Sequence, residues 1–134
     1  MPKIVAKNII KQVQKVFDDY DKSPNNWSSR DILMATLLKK YKSDQYGDVA
    51  IIIGDWYVNN DDRDFNHGSI AMDIVAVLAF FEGDLDGVDI LLNDIPAHPN
   101  SNLRAQLAMA TMLCKTGMSE VEEFREVFTN VGEK

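Results

Sequence analysis

Apolar residues recur every three to four positions through most of the chain, the spacing of amphipathic helices. Val5, Ile9, Val13, Val16, Phe17 and Tyr20 share one face of a helix predicted from Lys3 to Tyr20. Lys3, Lys7, Lys11 and Lys15 recur at every fourth position on the opposite face. The breaker-rich stretch from Asp18 to Asn26 ends that helix. Ser28 opens a second, with Asp31 three residues on as a short-acid form of the capping box. Ile32, Leu33, Ala35, Leu37, Leu38 and Tyr41 supply its buried side. Lys39, Lys40 and Lys42 stand in its last turns, where positive charge complements the helix dipole.

Between Asp48 and Val58 the pattern is divided. Val49, Ile51, Ile52 and Ile53 have strand propensity. A lone strand in a helical chain has no partner, and Trp56 and Tyr57 extend the apolar character by another turn. The segment therefore reads as a helix, weakened by Gly54. Residues 59–68 read as the main loop, with a helix after it from Ser69 to Glu82. That helix is apolar nearly all round, so it should be central. Asp73 is its only interior charge and is placed by this reading in the first turns, where the dipole favours a carboxylate. Gly83-Asp84 marks a tight turn, and Leu85 to Asp94 a short helix with Val88, Leu91, Leu92 and Ile95 facing in. Asn100 or Ser101 should cap a helix ending at Gly117. Ser119 and Glu122 form a capping box for a last helix with Val121, Phe124, Val127 and Phe128 inward. The expected fold is all-α, one compact domain of six to seven helices over 1–134. A basic helix (1–22) precedes a helical core (28–131).

At 134 residues, 46% hydrophobic and 26% charged, the chain is long enough to bury a core and too apolar to be disordered. The net charge of −7 opposes non-specific binding to nucleic acid. Its distribution is uneven. Residues 1–43 hold nine positive and four negative side chains, and residues 44–134 hold five positive and seventeen negative. The basic part can fold onto the acidic part, or the two can face different partners. The opening Met1-Pro2-Lys3-Ile4 lacks the apolar core of a signal peptide. The longest apolar run, Ile74 to Phe81, is short for a bilayer. A cytoplasmic protein without membrane contact is the expectation.

Candidate chemistry is sparse. The single cysteine, Cys114, lies in an apolar stretch and reads as a small core hydrophobe. Asp62-x-Asp64-x-Asn66 opens like a calcium loop. However, the sixth position is His67 rather than Gly, and the twelfth is Asp73 rather than Glu. His67 and His98 are the only histidines and lack metal-ligand spacing. No nucleophile elbow, phosphate loop or dinucleotide fingerprint occurs. The expectation is no catalytic residue, no metal and no cofactor.

Leu78-Ala79-Phe80-Phe81-Glu82-Gly83-Asp84, then Leu91-Leu92, His98-Pro99-Asn100 and Leu103-x-x-Gln106-Leu107, with Gly117 closing a leucine-rich helix, form a further pattern. Over roughly residues 28–128 the chain resembles the C-terminal half of an uncharacterised actinobacterial family, domain-of-unknown-function family 4192. Phe80-Phe81 departs from that family's aliphatic–tryptophan pattern. The resemblance implies helical packing without an established activity, and a short form encoded by a phage of such hosts. The Gly-Asp…Pro-Asn spacing is also similar to a tetratricopeptide hairpin, which would make the C-terminal part a set of such hairpins.

The functional expectation is a small non-enzymatic protein acting on a protein partner or as a homodimer. The alternative is an acidic nucleic-acid mimic or inhibitor of a basic protein. Lys3, Lys7, Lys11 and Lys15 are the candidate partner-binding residues. The helix over 101–116 supports the first reading. It carries Leu103, Leu107, Ala110 and Cys114 on one face and Ala105, Met109 and Met112 on another, so it needs two neighbours.

Overall fold

The computed structural model describes residues 2–60, 64–94, 96–117 and 124–126. Among them are six α-helices, one 3₁₀ turn and no strand: α1 (Ala6–Lys22), α2 (Ser28–Lys40), the turn Ser43–Gln45, α3 (Tyr46–Asn59), α4 (Phe65–Glu82), α5 (Leu85–Asp94) and α6 (Leu103–Lys115). The fold is all-α. The expected last helix lies outside the described residues except for 124–126.

α1 buries Ile9, Val13, Val16, Phe17 and Tyr20, the face that its periodicity marks. It begins at Ala6 rather than Lys3, because Val5 is extended and takes the N-cap position. α2 begins at Ser28, but the capping box expected there does not form. Trp27 occupies the N-cap position, Asn26 Oδ1 accepts the Ser28 N–H at 3.1 Å, and Asp31 accepts instead from the Arg30 guanidinium at 3.0 Å. The 48–58 segment is helical. Tyr46, Val49, Ala50 and Ile53 bury one α3 face at helical spacing, and the Tyr46 hydroxyl donates to the Leu38 carbonyl at 2.7 Å, satisfying an acceptor in the last turn of α2.

α4 starts four residues earlier than its apolar pattern indicates. Asp64 caps it, Oδ1 accepting from Asn66 N at 2.8 Å and His67 N at 3.3 Å. It is the central helix and packs against α1, α2, α3, α5 and α6. By length and composition alone it could cross a membrane, but 61% of its apolar window is buried inside the protein. Gly83 ends it at φ +101°, with Gly83 N donating to Phe80 O and Asp84 N to Ala79 O, the hydrogen bonds of a Schellman motif. Only glycine adopts that φ without strain, so the α4–α5 turn rests on it. Asp84 then receives the Gly87 N–H at 3.0 Å and caps α5.

α6 begins at Leu103, with Asn102 rather than Asn100 or Ser101 at the N-cap position. It buries Leu103, Leu107 and Ala110 and leaves Met109 and Met112 exposed, so its second apolar face has no neighbour among the described residues. Phe124 stands against Phe80 and Phe81, with centroids 5.3 and 5.7 Å away, the inward placement its spacing indicates.

Candidate functional site

The lysines of the first segment are all exposed. Lys7, Lys11 and Lys15 share a helix face, whereas Lys3 lies on the extended lead-in and is not part of the helical stripe. Lys15 is 2.7 Å from Asp19. With the Ser29 hydroxyl it holds the Asp19 carboxyl below its ordinary value. Changing Lys3, Lys7, Lys11 and Lys15 together to Gln should leave the melting temperature close to wild type, because no lysine touches the core. A large fall in a thermal scan would contradict that placement.

The charged residue inside the bundle is structural in its contacts. Asp73 is the ninth residue of α4, mid-helix rather than in the first turns, and is 1% exposed. Both its oxygens are occupied: Arg104 Nε donates to Oδ1 at 2.5 Å and Arg30 Nη1 to Oδ2 at 3.1 Å. Arg104 also donates to the Ser69 carbonyl, and Arg30 to Ser101 Oγ and Asp31 while stacking over Trp27 at 4.6 Å. Burial pushes the Asp73 carboxyl up from its ordinary value, and the two guanidiniums pull against that. The cluster ties α2, α4 and α6 together.

The histidines are also spent on packing. His67 stacks on Phe17 at 4.4 Å, and its Nε2 is 2.8 Å from Asp21. His98 is buried, although its sequence setting is a loop. Its Nδ1 accepts the Asn100 N–H at 3.0 Å, which leaves the neutral ring's Nε2–H to donate to the Tyr20 hydroxyl at 2.8 Å. Trp27 Nε1 donates to Asn100 O, fastening the same loop to the α1–α2 corner. In the calcium-like loop, Asp64 serves as a helix cap, and Asp62 lies outside the described residues. Among the described residues no three His, Cys, Asp or Glu side chains are placed to hold a metal.

Besides a polar hollow of about 430 Å³ lined by Lys15, Asp19, Lys22 and Ser29, an apolar groove remains open. α3 and α5 both pack on α4, and no comparable packing joins them to each other. The trough between them has a volume of about 420 Å³. Met72, Val75 and Ala79 form its floor, Gly47, Ile51, Gly54 and Val58 one wall, and Gly87, Ile90 and Leu91 the other. Ile51, Val58 and Ile90 are 60%, 69% and 60% exposed. Val58 and Met72 carry the groove on into a second apolar recess of about 260 Å³ beside Tyr57, Phe65 and Pro96. The charged lining residues are Asp55, Glu82 and Asp84. None of the three is in an ion pair among the described residues.

Two glycines of the α3 wall differ in what faces them. A side chain at Gly47 would run into the Glu82 carboxylate. Gly54 is different: a Cβ there meets nothing within 4 Å. A mid-helix glycine costs about 0.5–1 kcal/mol relative to alanine. Gly54→Ala should therefore raise stability by about that amount, read as a shift of the urea midpoint at constant slope. A loss of stability would mean that the wall at Gly54 is not open.

The fold and site define an all-α protein with one long apolar trough and no assembled catalytic group among the described residues. No family model matches the chain, and neither the curated proteins nor the solved structures contain a match. The sequence reading overlooked the groove. Its signal was present as a second apolar stripe on α3, Gly47-Ile51-Gly54-Val58 at i, i+4, i+7 and i+11. The first stripe, Tyr46-Val49-Ala50-Ile53, masks it because the segment reads as apolar throughout.

Proposed function

We propose that this protein is a small non-enzymatic interaction protein that works through contact with another protein. The observation that carries the reading is the groove on α3, α4 and α5, whose walls leave the large apolar side chains Ile51, Val58 and Ile90 exposed. Exposed apolar surface concentrated in one place marks an interaction site rather than ordinary surface composition. The exposed Met109–Met112 face of α6 offers a second, adaptable apolar surface. The cytoplasmic setting, the kinship with family 4192 and the tetratricopeptide-like geometry of the α4–α5–α6 part belong to the same reading. The Gly83 turn and the packing of α5 on both α4 and α6 support that last element.

Affinity capture with the full chain as bait tests the function. The expected result is one protein retained in near-stoichiometric amount in about 0.1 M salt and still retained in about 1 M salt, where exposed charge pairs are screened within about 3 Å. A bait that is monomeric by sedimentation and retains no stoichiometric partner overturns the reading. Retention that collapses in high salt would favour the acidic mimic instead.

A further inference from the structure

We infer that the α3–α4–α5 groove takes an amphipathic helix of a different protein, with an apolar face and basic flanks. This rests on the interaction reading above and specifies its partner.

The shape argues for a helix. From Gly47 to Val58 the α3 wall runs about 16 Å, three turns at 1.5 Å per residue. The floor residues Met72, Val75, Ala79 and Glu82 lie along one stripe of α4, so the trough follows the helix axes rather than crossing them. On the α3 wall Gly54 faces open space and lets a third element approach closely, whereas the spaces in front of Gly47 and Gly87 are taken by the Glu82 and Asp84 carboxylates. The recess past Val58 and Met72, bounded by Tyr57 and Phe65, would accept one large anchoring side chain at the end of the inserted helix.

The charge argues for a basic partner. Asp55, Glu82 and Asp84, the last also capping α5, stand at the lining with no Lys, Arg or His among the fourteen described lining residues. An acidic helix would be repelled, and a neutral one would leave the carboxylates uncompensated.

The described helices α1, α2 and α6 argue against a second copy, since α2 has the exposed Lys39 and Lys40 but only Ile32 as an exposed large apolar side chain. α1 has the lysines, but its apolar face is buried in its own core. α6 has exposed methionines, but the cation beside them, Lys115, is already paired with Asp86 and Asp89. Neither presents apolar and basic faces together.

The test uses three fluorescent peptides of about eighteen residues, about five helical turns. One is a Leu/Lys amphipathic helix, the second its Leu/Glu counterpart, and the third the Leu/Lys peptide with two central prolines. The expected result with the intact chain is saturable one-to-one binding of the Leu/Lys helix. The other two peptides should bind at least about tenfold more weakly. Gly54→Leu places a side chain in the open trough and should abolish binding, while circular dichroism and melting show the fold intact. Ile51→Asp, at an exposed site, should do the same by a different route. Asp55→Asn with Glu82→Gln should weaken the Leu/Lys helix several-fold at low salt and little at high salt.

Equal binding of the Leu/Glu or proline peptide overturns the inference. So does unchanged binding by folded Gly54→Leu, or a homodimer that this variant dissociates. A stoichiometric partner captured equally well by wild type and Gly54→Leu would leave the interaction reading standing and remove this one.

Discussion

Asp73→Ala is expected to destabilise the protein by about 3–5 kcal/mol, the cost of removing one partner from a buried ion pair. The carboxylate joins Arg104 to Arg30. Without it Arg30 keeps Asp31 and Ser101 Oγ, so its charge remains compensated. Arg104, 7% exposed, loses the carboxylate that its Nε contacts at 2.5 Å, a buried charge-assisted hydrogen bond. The double change Asp73→Ala with Arg104→Met should be less damaging than Asp73→Ala alone, because removing both members of a buried pair costs less than removing one. Urea unfolding of the two variants checks both statements. A loss below about 1 kcal/mol for the single change would show that water reaches the cluster.

Leu78→Ala should cost about 2–5 kcal/mol, since α4 is packed on several sides and cannot collapse onto the space left behind. Leu78 is 1% exposed and lies in the buried run Ala76, Val77 and Leu78 of α4. Ile51→Ala is the matched control. It deletes more methylene groups than a core Ile→Val change would, yet at an exposed site it should shift stability by no more than about 0.5 kcal/mol. Equal effects from the two would mean that the groove wall is covered by a neighbour and α4 is less enclosed than described. Chemical denaturation monitored by circular dichroism, with the slope held constant, distinguishes these cases.

Three errors of the sequence reading share a cause. Ser28 and Asp31 satisfy the spacing of a capping box, yet Arg30 sits between them and takes the carboxylate. Residues 65–68 look like loop because of the polar run before them, yet Asp64 is a sufficient cap to begin α4 there. Asp73 looks like a first-turn residue only if α4 starts late. In each case the local pattern is displaced by a competing partner nearby or far along the chain. His98 shows the same effect at longer range. Nothing between Pro96 and Ser101 indicates burial, which depends on Tyr20, a residue 78 positions away.

Local periodicity was sufficient for the class of the fold, the number of helices and the choice of α4 as the centre. A helix buries whichever face is apolar, and that face is written at 3.6-residue spacing within the segment itself. The Gly83 turn was legible for a similar reason, since its positive φ depends on one residue's lack of a Cβ. The division of α3 between two faces was not legible. Val49 and Ile53 go inward and Ile51 and Val58 outward because α1 and α4 pack on α3 and no described residue covers its outer face. The groove, its acidic lining and the Arg30–Asp73–Arg104 cluster were decided by tertiary structure alone. Each joins side chains from three helices, and the crossing of those helices is set by the summed packing of the whole core rather than by any one segment's pattern.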